Sequence, residues 1–142
     1  MGVLLDTNVI SELRKGHRAH PNVIAWAERV KREPQHISVL TLGEIRQGIE
    51  QIRRKDERQA EALESWLIDV ELKYNEALLP ICERVAEEWG RLNALRSRPV
   101  IDGLLSATAR VHGLRIATRN IRDFENAGIA VENPFEDPQP GA

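Results

Sequence analysis

Four acids in this 142-residue chain stand beside turn and cap residues, just past short apolar runs. Asp6 follows Val3-Leu4-Leu5 and leads into Thr7-Asn8. Glu44 comes soon after His36-Ile37-Ser38-Val39, Asp102 lies three residues beyond Pro99, and Asp123, with Asn120, comes after Leu114-Arg115-Ile116-Ala117-Thr118. Each acid has a local structural role open to it. Asp6 can cap a helix, and Thr41-x-x-Glu44 is a capping box, in which the Glu side chain returns to the cap backbone. Asp102, in the first turn of a helix, is favoured by the helix dipole. All four nevertheless fall on the strand-to-helix side of their connections, which a parallel sheet gathers at one edge. Carboxylates crowded together repel and raise one another's pKa values. Hard divalent cations relieve that repulsion, and Mg²⁺ and Mn²⁺ prefer oxygen ligands. Such a site suits phosphoryl chemistry, because the metal polarises a phosphate and lowers the pKa of a bound water.

The elements that must position these acids follow from hydrophobic spacing. A buried strand ends at Asp6, and a helix opens at about Asn8 with Val9, Ile10 and Leu13 on one face. After a polar loop at 15–21, a helix spans about 22–32 with Val23, Ile24, Ala27 and Val30 as its stripe and Trp26 on or beside it. A strand at 36–39 precedes a long helix from Thr41 carrying Ile45, Ile49 and Ile52. The charged run at 53–58 reads as a solvated turn, with a weak RNA-facing patch as the alternative. Another helix continues to about Tyr74. Then come a strand at 77–81, a helix at 83–95, and a helix from about Pro99 to Gly113. A strand at 114–118, a polar turn with a short helix, and a strand at 128–131 close the order. Strands alternating with helices predict a parallel α/β sheet with right-handed crossovers. Trp26, Trp66 and Trp89 lie in helical patterns and read as packing residues. Cys82, the lone cysteine, reads as a small core residue.

The bulk numbers bound the function class. One domain of ordinary size is expected, 1–135, with 136–142 a flexible tail. The chain is 42% hydrophobic and 30% charged, and its 20 Lys+Arg against 22 Asp+Glu give a net charge of −2. That balance does not advertise nucleic-acid binding. Two divalent cations on four of the acids would leave 20 basic groups facing 18 acids, which weakens the objection to a polyanionic substrate. One cysteine excludes an intrachain disulfide and fits a reducing, cytoplasmic setting. No signal-peptide layout or membrane-length apolar run appears.

At this point four segments resemble the PIN-domain proteins, in particular the VapC and FitB-like toxins of bacterial toxin–antitoxin pairs. They are Leu4-Leu5-Asp6-Thr7-Asn8-Val9-Ile10-Ser11-Glu12-Leu13, Thr41-Leu42-Gly43-Glu44-Ile45-Arg46-Gln47-Gly48-Ile49, Ile101-Asp102-Gly103-Leu104-Leu105-Ser106-Ala107-Thr108-Ala109, and Ile116-Ala117-Thr118-Arg119-Asn120-Ile121-Arg122-Asp123-Phe124 with Asn133-Pro134-Phe135. The resemblance covers nearly the whole chain in order. It implies a three-layer α/β/α PIN-like fold with a short central parallel sheet of about four to five strands. It also implies a Mg²⁺- or Mn²⁺-dependent endoribonuclease in which metal-activated water hydrolyses RNA phosphodiesters, leaving 5′-phosphate and 3′-hydroxyl ends. Asp6, Glu44 and Asp102 would carry the metal with Asp123 as the fourth acid, a place that Asn120 could share or take over. Thr7, Asn8, Thr118 and Asn120 would support the site. Arg46, Arg119 and Arg122 flank the acids and are the expected RNA contacts, unless salt bridges engage them. The resemblance further implies a small antitoxin that covers the site, promoter DNA bound only through the antitoxin complex, and a homodimeric toxin.

The alternative is a catalytically silent PIN-fold module that binds RNA or protein; four acids in place argue against it. A haloacid-dehalogenase-type phosphatase would want a second Asp where Asn8 stands. A receiver-type phosphoacceptor would want a Lys near where Arg119 stands.

Overall fold

The computed structural model describes residues 1–137. The expected tail therefore lies almost wholly outside the described residues, with only Glu136 and Asp137 inside them. The elements run β1 (Val3–Leu5), α1 (Thr7–Leu13), α2 (Pro21–Val30), β2 (Gln35–Ser38), α3 (Val39–Arg53), α4 (Glu57–Lys73), β3 (Leu78–Leu79), α5 (Glu83–Leu95), α6 (Val100–His112), β4 (Arg115–Ala117) and β5 (Val131–Glu132). The five strands form one parallel sheet in the order β3-β2-β1-β4-β5. This is the three-layer α/β/α architecture with a short parallel sheet.

β1 lies at the centre because its three residues are apolar and both of its faces are covered. Side chains alternate across a strand, so successive residues enter different cores. Val3 and Leu5 pack with Ile37, Val9, Trp26, Ile45, Ile49 and Leu67 on the side of α1 to α4. Leu4 packs with Leu105, Ala109, Ile116 and Phe124 on the side of α6. α5 closes over α6 through Val85, Leu92 and Ala107.

Several boundaries differ from expectation, each for a local reason. α3 starts at Val39, not Thr41, because Ser38 caps it: its Oγ accepts from the Leu40 N–H at 3.0 Å. Strand β2 thus passes into the helix without a loop. Thr41 is then an interior helical residue, fully buried with its hydroxyl unpartnered, and the capping box does not form. α1 starts one residue before Asn8, with Asp6 as its cap. α2 turns Trp26 inward and leaves Ile24 exposed. β5 is two residues, Val131–Glu132, paired with Ile116–Ala117. The expected start at 128 fails because Gly128 takes φ 72° in a turn, and the Arg110 guanidinium occupies the space a β-carbon would need. Cys82 is exposed at the N-cap of α5 and is no core residue.

Candidate active site

The strand order reverses around β1: the chain steps from β1 to β2 and β3 one way, and β4 and β5 lie the other way. In open α/β sheets the crevice beyond the strand ends at such a reversal is where ligands bind. Asp6 leaves β1 there, and Thr118 leaves β4 beside it. The Thr118 hydroxyl donates to Asp6 Oδ2 at 2.8 Å. Thr118 in turn accepts from the Asn120 N–H at 3.0 Å and from Asn8 Nδ2 at 3.3 Å. Asn8 Oδ1 takes the Arg119 N–H at 3.1 Å, which ties α1 to the turn after β4. The other Asp6 oxygen, Oδ1, accepts from the Thr7 N–H at 2.8 Å. Asp6 therefore is a helix cap, and it is also the centre of a network joining two strands.

Glu44 reaches the same crevice from α3. With the cap role taken by Ser38, its carboxylate is free of the helix end, and the Thr7 hydroxyl donates to Oε1 at 2.6 Å. Asp102 sits in the first turn of α6, which has Pro99 and no side-chain cap at its N-terminus. Asp123 lies in a short 3₁₀ turn at Ile121–Phe124, directly after Asn120. No described donor reaches the carboxylates of Asp102 or Asp123.

The electrostatics show that the four acids share one field. Burial pushes the Asp102 carboxyl up to about 6, and the charges of Asp123, Asp6 and Glu44 push in the same direction. Asp6, only 7% exposed, is also raised. Burial dominates there and Asp123 adds to it, against the lowering bonds from Thr118 and Thr7. A lattice of hydrogen bonds thus fixes two acids, while two others present bare oxygens into a negative field. The donor set is all oxygen, as a hard divalent cation requires. Among the described residues, no three acidic, His or Cys side chains already close on a common point. That looseness is compatible with Mg²⁺, which binds through one or two carboxylates and keeps several waters.

The structure separates the three arginines read as RNA contacts. Arg46 is spent: it pairs with Glu50 at 3.3 Å and with Glu64, inside a charged cluster shared with Arg53 between α3 and α4. An RNA phosphate would compete with these two exposed carboxylates for its guanidinium. Arg119 and Arg122 are exposed and border a cavity of about 370 Å³ that also touches Asn120, Asp123 and Asn133. Asn120 joins the network through its backbone, and its side chain is exposed.

Two features escape sequence spacing. Gly103, next to Asp102, lets Trp89 pack against α6; a β-carbon there would lie 3.1 Å from the indole. Phe135 lies beneath Arg119, the guanidinium carbon 3.8 Å from the ring centre. No periodicity links residues so far apart in sequence; only the aromatic in the closing segment was a visible signal.

Comparison with known proteins supplies a family. The PIN domain family model matches residues 3–129. The toxin FitB of Neisseria gonorrhoeae is 32% identical over 144 residues, covering 95% of this chain and 99% of that one. The VapC ribonuclease Y4jK of Sinorhizobium fredii is 34% identical over 143 residues, covering 94% and 98%. A solved structure of FitAB bound to a DNA fragment contains a chain that superposes with a TM-score of 0.83 at 28% identity, covering 97% of this chain and 99% of that one.

Proposed function

This chain belongs to the PIN domain family, and from that membership we infer that it is a metal-dependent endoribonuclease acting as the toxin of a toxin–antitoxin pair. One observation carries the reading: Asp6, Glu44, Asp102 and Asp123 share one field at the sheet's reversal point, where burial first and then the charges of the other three acids raise the Asp102 carboxyl. A fold that merely bound protein would gain nothing from that repulsion. The relatives named as a ribonuclease and a toxin support an RNA substrate and a toxin role.

Asp6, Glu44, Asp102 and Asp123 would hold Mg²⁺ or Mn²⁺. When bound there, such an ion supplies charge neutralisation at a phosphate and a more acidic water. The chain's own residues do the positioning. Thr7 holds both Asp6, through its N–H, and Glu44, through its hydroxyl, so one residue sets two acids relative to each other. Thr118 and Asn8 lock the remaining oxygen of Asp6. Arg119 and Arg122 provide positive charge at the rim for the phosphate backbone. Water adds at phosphorus in line with the departing 3′ oxygen, which leaves as a hydroxyl and gives a 5′-phosphate end.

The FitAB structure supports an antitoxin partner, with DNA contact made by the assembled pair. An apolar groove of about 220 Å³ runs from Glu44 past Ile45, Ile49, Leu63 and Trp66. It fits an apolar segment of the antitoxin lying across the mouth of the site. Toxin homodimerisation and a cytoplasmic location belong to the same reading. No helix among the described residues is long and apolar enough to cross a membrane.

The test is cleavage of total tRNA and rRNA by the purified chain, with Mg²⁺, with Mn²⁺ and with chelator, beside Asp6→Asn. Discrete fragments that require both the ion and Asp6 are expected. Intact RNA throughout, with no calorimetric Mn²⁺ binding, would overturn the proposal in favour of a silent binding module.

A further inference from the structure

Resting on the metal-dependent nuclease reading, we propose that Arg98 is the positioning residue that sets Asp123 against Asp102. It would fix the part of the ion site that side-chain hydrogen bonds leave unheld. Asp6 and Glu44 are gripped at their carboxylates by Thr118 and Thr7. No described donor reaches the carboxylates of Asp102 or Asp123, so each stands where its backbone segment puts it. Those segments are the first turn of α6 and the 3₁₀ turn at Ile121–Phe124. Arg98, in the connection between α5 and α6, joins them.

Arg98 is a guanidinium only 8% exposed, and among the described residues no carboxylate pairs with it. Its Nη2 donates to the Glu125 carbonyl at 2.9 Å, two residues past Asp123. Its Nη1 donates to the Leu92 carbonyl at 3.4 Å in the last turn of α5, where a cation is favoured by the helix dipole. Its backbone N–H donates to Asn93 Oδ1 at 3.4 Å. Pro99 comes next as the N-cap of α6, and its ring restricts φ, so little play separates Arg98 from Asp102. Two exposed arginines act on the same turn. Arg96 donates to the Glu125 carbonyl at 3.2 Å, and Arg110 donates to the Ala127 carbonyl at 3.2 Å. The turn they hold has left-handed backbone at Asn126, φ 61°, and at Gly128, φ 72°. Of the three, only Arg98 is buried, where water competes least for its bonds. Phe124 also packs with Leu105 of α6, but such contact is non-directional. The bond to Glu125 is what sets where along α6 the turn sits. Burying a guanidinium against carbonyls, with its Nε unpartnered, costs the fold more than an apolar side chain would. Its return is a fixed span between two acids that must share one ion.

The distinguishing variant is Arg98→Met in the full chain, which keeps most of the side-chain length and removes the donors. Val23→Ala, in the core beneath α2, serves as the comparison for a general loss of stability. Hydrogen exchange on metal-stripped protein reads residues 119–129, with residues 39–53 as reference. Calorimetry with Mn²⁺ alone gives the affinity, and RNA cleavage against Mn²⁺ concentration gives the half-saturating level and the rate at saturation. In Arg98→Met the Asp123 and Glu125 amides, which donate to Asn120 and Arg122 carbonyls, should exchange about tenfold faster, with α3 unchanged. The Mn²⁺ Kd and the half-saturating level should both rise about tenfold, as when a partner that orients metal-holding groups is lost. The rate at saturating Mn²⁺ should stay within about twofold of wild type. A mere loss of folded protein would lower that rate and leave the half-saturating level in place, which is the result expected for Val23→Ala. Unchanged Mn²⁺ affinity in Arg98→Met, an equal loss in Val23→Ala, or faster exchange spread evenly over the chain overturns the proposal. If Arg98→Met does not fold, Arg98→Lys keeps the charge and one donor head, and should show the same local effects at smaller size. If the wild-type chain neither binds Mn²⁺ nor cuts RNA, the nuclease reading falls, and faster exchange confined to 119–129 alone decides whether Arg98 sets the turn.

Discussion

Asp102 shows how one side chain is costly to the fold for the sake of the site. Its carboxyl titrates at about 6 in the folded chain, above the ordinary 3.8. Between those values the native state binds more protons than the unfolded state, so stability falls as pH rises through this window. The contribution is fully present below about 4 and gone above about 6. Asp102→Asn removes the charge that causes the loss. In metal-stripped protein at pH 7.5 the variant should be more stable by about 1 kcal/mol, the figure being reduced for the partial exposure of Asp102. That is about 3–5 °C in melting temperature. At pH 4 the gain should vanish. Thermal melts of both proteins across pH 4–8 would test this, and a gain of the same size at pH 4 would refute it. Thr7 carries the opposite lesson. Through two different groups it fixes two acids, a link that sequence spacing does not display because its partners are one and 37 residues away.

At the scale of elements, the junction of β2 with α3 decides where Glu44 points. Ser38 ends the strand and caps the helix, so nothing flexible intervenes. Ser38→Ala removes the oxygen that takes the Leu40 N–H and should cost about 1 kcal/mol, within the range for lost caps. Urea unfolding would show this as a lower midpoint at unchanged slope. Most elements were legible in the sequence because their apolar periods are clean: α5 falls at 83–95 as spaced, and the three apolar residues of β1 announce a strand buried on both faces. The acids were legible too: Asp6 follows β1 directly, and Asp102 stands in the first turn of α6 just past Pro99. What was misread came from competition between equivalent signals. Ser38 and Thr41 are both good caps, and sequence spacing favoured the one with a Glu three residues on. Tertiary contact chose the other, because Thr41 is buried and Glu44 has Thr7 to meet. The ion pair of Arg46 with Glu64 was not legible for a related reason: Glu64 arrives from a separate helix, out of reach of any local pattern.

For the whole molecule, the site is built at the sheet's reversal point with its four acids on separate segments, so binding there couples to global stability. An ion bound only by the native state stabilises it by mass action, by about 2.7 kcal/mol at a hundredfold excess over its dissociation constant. Mn²⁺ titrated into the stripped chain should therefore raise its melting temperature by several degrees, and EDTA should reverse this. Asp6→Asn should abolish the response, and a rise that persisted in that variant would place the ion elsewhere. The architecture was foreseeable at this scale from the alternation of strands and helices. The reversal between β1 and β4 was not, because strand order depends on which edges meet in space.

The seamless passage from β2 into α3 also bears on how such chains can diverge. Each residue inserted between Ser38 and Glu44 would turn the carboxylate by about 100° around the helix and move it about 1.5 Å along the axis. One insertion or deletion there would carry Glu44 out of reach of Thr7. The connection at residues 54–56 between α3 and α4 has no such constraint, because no group facing the crevice depends on its length. Descent with gaps is thus open at that loop and closed along the six residues after Ser38, whatever happens to the side chains between.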